Sequence, residues 1–225
     1  MKKLIAMGLT VIMTAVAVCG CGSSDSGNDA KKSDNQTKQQ AVKVIDVDLT
    51  SEEYAFGVDK NKPELLTQVN DFIKEIKDNG TFDEICNKYF GGGNPTPVKS
   101  EKLDTSKDQL LVATNASFEP FEYMKGDSYY GIDMEIAAAL AKKLNKELVI
   151  QNMEFDSVCL SVGQHKSDIA MTGLTIKEDR KKYVNFTDPY YNAAQRLIVK
   201  GDSTEFDNCK DKAAIEKILK TKDKS

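Results

Sequence analysis

Apolar positions recur at three- and four-residue steps through Leu65, Leu66, Val69, Phe72, Ile73 and Ile76. That spacing predicts a helix with one continuous apolar face. Pro63 opens it, in the first turn where a missing N–H costs nothing, and Asn79-Gly80 closes it. Thr81 stands where it can cap a second, shorter helix carrying Phe82, Ile85, Tyr89 and Phe90. Upstream, weak alternation over residues 42–47 and the apolar run 54–58 predict strands. Downstream, strands are predicted over 110–114, 148–150 and 168–171, an extended segment over 129–132, and helices over 135–144 and 156–162. A helical turn is expected at 177–182, and residues 196–200 are expected to close the sheet. Strands alternating with helices predict an α/β fold, a mostly parallel sheet flanked by helices.

The two ends of the chain read differently. Lys2-Lys3 precede an apolar stretch over 4–18 that is short for a membrane span, so residues 1–20 read as a secretion signal. Val18-Cys19-Gly20-Cys21 resembles a lipobox, which makes Cys21 the expected lipidated N-terminus. Cys19 fits worse, because Val18 occupies the place of the small residue, and an ordinary signal with incidental cysteines is the alternative. A diacylated cysteine would hold the protein at a membrane surface without a spanning helix. Residues 21–41 lack any apolar run, and a disordered tether with a reach of roughly 25 Å is expected there. Residues 201–225 form a charged tail, in which Ala213, Ala214, Ile215, Ile218 and Leu219 could line one marginal amphipathic helix.

Charge and cysteine usage exclude some chemistry. A net charge of −4 without a basic stripe argues against nucleic acid as a partner. His165, the one histidine, lies in a polar stretch and reads as a solvated loop residue, so a histidine zinc site or a Ser-His-Asp triad has little to build on. No metal or other cofactor is expected, and no enzymatic activity. Beyond the leader, Cys86, Cys159 and Cys209 are odd in number and read as buried or free thiols, although the compartment permits a disulfide. Gly91-Gly92-Gly93 is not followed by Lys-Ser/Thr, so residues 91–107 read as a linker rather than a phosphate loop.

Four blocks carry a resemblance. They are Val112-Ala113-Thr114-Asn115-Ala116-Ser117-Phe118-Glu119-Pro120-Phe121-Glu122-Tyr123, Gly131-Ile132-Asp133-Met134-Glu135, Met171-Thr172-Gly173-Leu174-Thr175-Ile176-Lys177-Glu178-Asp179-Arg180 and Asn185-Phe186-Thr187-Asp188-Pro189-Tyr190-Tyr191. In that order they resemble the opening half of the extracellular solute-binding proteins (family 3) that deliver polar amino acids to ABC transporters. Residues 51–90 resemble the last segment of the same family, yet here they come first. The resemblance implies one lobe of a periplasmic-binding-protein type II fold over 42–200, circularly permuted. In this reading 42–90 match the family's C-terminal segment, 108–200 its N-terminal segment, and 201–225 begin a second lobe that is largely missing.

The resemblance also implies a site. An amino acid's carboxylate suits a guanidinium, whose planar fork meets two oxygens at once. The family's arginine falls on Arg180, helped by the hydroxyl residue at Thr175 and by N–H groups around Gly173; a surface arginine paired with Glu178 or Asp179 is the alternative. The ammonium falls to oxygens near Thr172–Thr175, together with a second-lobe carboxylate that no residue here matches. Phe118 matches an aromatic over the ligand. Phe155 matches a second wall or is a core residue, while Phe121 and Tyr123 read as core. A one-sided site predicts weak binding, since its charges are paired at high dielectric. The implied function is capture of free amino acid outside the cytoplasm, in partnership with an ABC permease and ATPase. A non-transport interaction module, or a rearranged remnant that binds little, is the other reading.

Overall fold

The computed structural model describes residues 42–222. The expected signal peptide, the lipidated Cys21 and the tether lie outside the described residues.

The elements run in the order β1 (Val42–Val44), β2 (Glu52–Tyr54), β3 (Gly57–Asp59), α1 (Pro63–Asp78), α2 (Thr81–Phe90), β4 (Gln109–Thr114), β5 (Ser117–Phe118), β6 (Glu122–Lys125) and β7 (Ser128–Tyr130). They continue with α3 (Ile132–Lys143), β8 (Glu147–Asn152), α4 (Phe155–Gly163), β9 (Ile169–Ala170), a 3-10 turn (Arg180–Lys182), β10 (Val184–Phe186), β11 (Tyr191–Ala193), β12 (Ile198–Lys200) and α5 (Lys212–Lys222). The main sheet has the order β10-β3-β9-β4-β8. Strand β4 runs parallel to β8 and β9, whereas β3 is antiparallel to both β9 and β10. The strand against the grain is therefore the one supplied by the early segment.

Pleating sends alternate residues of β4 to opposite faces. Leu110 and Val112 join the large core beneath α1, α2 and α3. Ala113 joins a smaller cluster with Val158 and Val162 of α4. The apolar stripe of α1 (Leu65, Val69, Phe72, Ile73, Ile76) is buried in the large core together with Ile132, Ile136 and Leu140 of α3. The early and late segments thus share one interior. Phe56, fully buried just before β3, stacks on Tyr190 with ring centroids 4.3 Å apart.

Several local details differ from the pattern-based expectation. Thr81 does not cap α2: Gly80, at φ +84°, is the capping residue, and Asn79 Oδ1 accepts the Thr81 N–H at 3.0 Å. The linker is pinned. Val98 exchanges backbone hydrogen bonds with Tyr129 at 2.8 and 3.0 Å, the Glu101 N–H donates to Leu148 O, and Ser100 Oγ accepts the Ile150 N–H at 2.8 Å. His165 is half-exposed but not merely solvated, because its Nδ1 lies 2.8 Å from the buried Asp59 carboxylate. Cys86, Cys159 and Cys209, by contrast, are the free thiols that were expected.

The largest correction concerns residues 196–200. They do not close the main sheet, because β12 pairs antiparallel with β1 in a separate two-stranded ribbon. The residues beyond it include the expected helix, α5, with Ile215 on its buried side. Phe206 and Ile215, the latter on α5, form a separate cluster with Ile45 and Val47, flanked by Val199. The two chain segments run side by side away from the main sheet, β2 paired antiparallel with β11 and β1 with β12.

Candidate functional site

The parallel strands β4, β8 and β9 all end on one side of the sheet, and the loops that follow them are tied together there. The Asn115 N–H donates to Thr172 Oγ1 at 3.2 Å, Asn115 Nδ2 to Met153 O at 2.8 Å, and the Ala116 N–H to Asn152 Oδ1 at 2.9 Å. Carboxyl ends of parallel strands are where open α/β sheets place their ligand crevices. A cleft of about 650 Å³ opens at this edge. That volume has ample room for a free amino acid.

Phe118, Phe155, Thr172, Gly173 and Thr175, all anticipated from the sequence, line this cleft. The Phe118 ring is 44 % exposed and stacks on Phe121 with centroids 5.6 Å apart, while Tyr54 meets it edge-on at 6.5 Å. Phe155, at the start of α4, is 39 % exposed and so is not a core residue. Phe121 and Tyr123 are buried as expected. Gly173 takes φ +49°, a conformation that favours glycine, and its N–H donates to Asp133 Oδ2 at 2.8 Å.

Arg180 is placed differently. It lines an adjoining depression with Asp156 and Tyr183 and does not line the main cleft. Its guanidinium carbon lies 5.0 Å over the Phe155 ring, and its Nη1 donates to Thr175 O at 2.8 Å. Glu178 pairs with Lys181, and Asp179 accepts the Arg180 backbone N–H, so neither carboxylate takes the guanidinium among the described residues. Phe155 is common to both depressions, and Arg180 therefore sits just behind the wall of the cleft.

The sequence reading missed the floor. Thr172 Oγ1 donates to Glu122 Oε1 at 2.8 Å, so its hydroxyl is committed inward. Glu122 lines the cleft yet is only 1 % exposed, and its Oε2 has no hydrogen-bond partner among the described residues. Beside it Asp133, fully buried, accepts the Tyr190 O–H at 2.6 Å as well as the Gly173 N–H. Burial, and then the charge of Asp133, pushes the Glu122 carboxyl up to about 10. Burial raises Asp133 as well, against the pull of its two donors. Tyr54, raised to about 12 by burial, feels Glu52, Glu122 and Asp133 together. The cleft thus has an acidic floor under Tyr54 and Phe118, while its lining also includes Lys177.

The sequence model of the bacterial extracellular solute-binding proteins, family 3, matches residues 10–92 and 110–224. The chain belongs to that family. The arginine-binding extracellular protein ArtP of Bacillus subtilis (strain 168) is 39 % identical over 100 residues, which cover 44 % of this chain and 39 % of its own. The probable histidine-binding protein of Neisseria gonorrhoeae is 37 % identical over 90 residues, 39 % of this chain and 33 % of its own. Among solved structures, the arginine-bound form of domain 1 from TmArgBP is 32 % identical and covers 53 % of this chain and 99 % of its own, with a TM-score of 0.38. The chain therefore spans well under half the length of these curated relatives.

Proposed function

We propose that this chain is a solute-binding component for polar amino acids, acting outside the cytoplasm with an ABC permease and ATPase and held at the membrane by lipid on Cys21. The observation that carries the reading is the cleft at the strand ends, which Phe118 and Phe155 line together with Thr172, Gly173 and Thr175. Aromatic faces pack an aliphatic stem or hold a cation. The Thr172–Thr175 loop and the Arg180 guanidinium serve the α-carboxylate, once Arg180 turns from Thr175 O toward the cleft past Phe155; the Gly173 N–H, taken by Asp133, is not among the donors. Membership of the family and the ligands for which the relatives are named, arginine and histidine, put basic amino acids first among those to test.

One observation favours the other reading, an interaction module that binds little. The Arg180 guanidinium is engaged by Thr175 O and the Phe155 ring and is not turned to the cleft. Calorimetric titration of the full chain with a panel of amino acids separates the two. The solute-binding reading expects saturable binding that requires a free α-carboxylate and is lost in Arg180→Ala. Arg180→Lys should also bind worse, since a point charge cannot reproduce two parallel hydrogen bonds. Absence of binding across the panel favours the interaction module.

A further inference from the structure

Three of the four most exposed large aliphatic side chains among the described residues lie together on the ribbon of β1 and β12. Val42, Val44 and Ile198 are 69, 55 and 62 % exposed, and the fourth, Leu103, is in the linker. The register sets Val44 opposite Ile198 and Val42 opposite Lys200, so these four side chains share one face. The other face is covered, because Val199 packs against the cluster of Ile45, Val47, Phe206 and Ile215. Strands with apolar side chains on both faces belong to sheets covered on both faces. Two strands alone make a marginal sheet, and this one has a cover on one face only.

The uncovered face is charged at its two ends, with opposite signs. Lys200, beside Val42, has no ion pair among the described residues. At the other end Arg196, two residues before Ile198, holds both Asp46 and Asp48. That end carries one net negative charge, and the Asp46 side chain is 89 % exposed. A copy of the ribbon turned end for end sets its Lys200 against the Asp46–Asp48 end, and its Val44 and Ile198 against their counterparts. A face that matches its own reverse suits a two-fold contact. A lipid surface, or a partner of one charge sign, gains at one end and is repelled at the other.

We infer that this face is a docking surface for a second copy of this chain, the two ribbons stacking about a two-fold axis near Val44 and Ile198. Stacked sheets stand about 10 Å apart, close enough for the aliphatic side chains to interdigitate. Two short strands in each copy bury on the order of 900 Å² in total, just below the ~1,000 Å² that a lasting specific interface clears. The contact is therefore transient, with half-association at about 10–100 µM. It needs no ligand, so it stands apart from the solute-binding reading.

Sedimentation velocity of the full chain from about 1 to 300 µM tests this. The expected result is a reversible monomer–dimer equilibrium with its midpoint inside that range. Val44→Asp should weaken dimerisation by about tenfold or more, because it sets two like charges at the axis. Leu103→Asp, at a comparably exposed aliphatic position outside the face, should leave it unchanged. If Val44→Asp does not fold, Ile198→Thr keeps the branched shape and should still weaken the dimer severalfold. Lys200→Glu should weaken it too, and adding Asp46→Lys to the same chain should restore it. A chain that stays monomeric to the top of the range overturns the inference, whether the face is bare or another segment of the polypeptide covers it. A dimer that neither Val44→Asp nor Ile198→Thr weakens overturns it as well, since the contact then lies elsewhere. Loss in Lys200→Glu without recovery in the double variant overturns the end-for-end stacking.

Discussion

The Phe118 ring lies against the backbone of Gly173: a Cβ built on Gly173 would stand 2.9 Å from Cε1 of the ring. Gly173 also sits at φ +49°, where a side chain strains the backbone. Gly173→Ala should therefore displace the ring and lower stability by about 1–2 kcal/mol, the usual cost of a left-handed conformation for a residue with a Cβ. Urea denaturation reads the second effect and amino acid titration the first. If the variant loses stability but keeps full affinity, Phe118 is not a ligand contact.

The joint between the early and late segments gives a second prediction. Glu135 of α3 is nearly buried, and its Oε1 accepts the Tyr89 O–H at 2.7 Å and the Thr96 N–H at 3.0 Å, while Lys88 pairs with its Oε2. Tyr89 Oη in turn accepts the Gly131 N–H at 2.9 Å. With α1 and α3 in one core, a cut in the exposed stretch 102–107 should leave both fragments associated through gel filtration without denaturant. Two separate peaks would show that they do not form one cooperative lobe. Glu135→Ala should weaken the association by on the order of 1–3 kcal/mol, since it strips three donors of one acceptor.

What was legible from sequence followed element length and period. Helix α1 repeats its apolar stripe over 16 residues, and the structure buries that same stripe. Strands β10 and β11 escaped notice because each has three residues and they flank Pro189, too short for alternation to register. Tertiary pairing with β3 and β2 makes them strands, not their own pattern. The carboxyl floor escaped for a related reason. Glu122, a charged residue between Phe121 and Tyr123, carries no signal in the sequence that marks it as buried. All three are buried, because β6 is covered on one side by α3 and lies under the cleft on the other. Arg180 was found by its offset from Gly173, but offset cannot say which way a guanidinium turns.

The proposed anchor is tested independently of the fold. If Cys21 carries the lipid, Cys21→Ser should release the protein into the medium or leave an unprocessed precursor. Cys19→Ser should leave it in the membrane fraction, because Val18 fits poorly as the residue before a processing site. Fractionation with mass analysis of the N-terminus reads both. The reverse pattern moves the anchor to Cys19.

The acidic floor also sets a pH dependence of stability, whose sign follows from proton counting. An ordinary glutamate in the unfolded chain titrates near 4.3, whereas Glu122 in the folded lobe is held up to about 10, first by burial and then by Asp133. Between those values the folded state binds more protons, so unfolding free energy falls as pH rises. Asp133, also raised, adds in the same direction. Stability should thus be greater at pH 6 than at pH 9, with a slope of at most about 1.4 kcal/mol per pH unit for each group. Glu122→Gln removes one of the two and keeps the shape. Its stability should exceed that of the unmodified chain at pH 9, by on the order of 1–3 kcal/mol, with the advantage shrinking toward acid pH. Urea midpoints at pH 5, 7 and 9 for both proteins measure this. A Glu122→Gln variant that is less stable at every pH would mean that Glu122 is ionised in the folded lobe, and that its charge supports the structure.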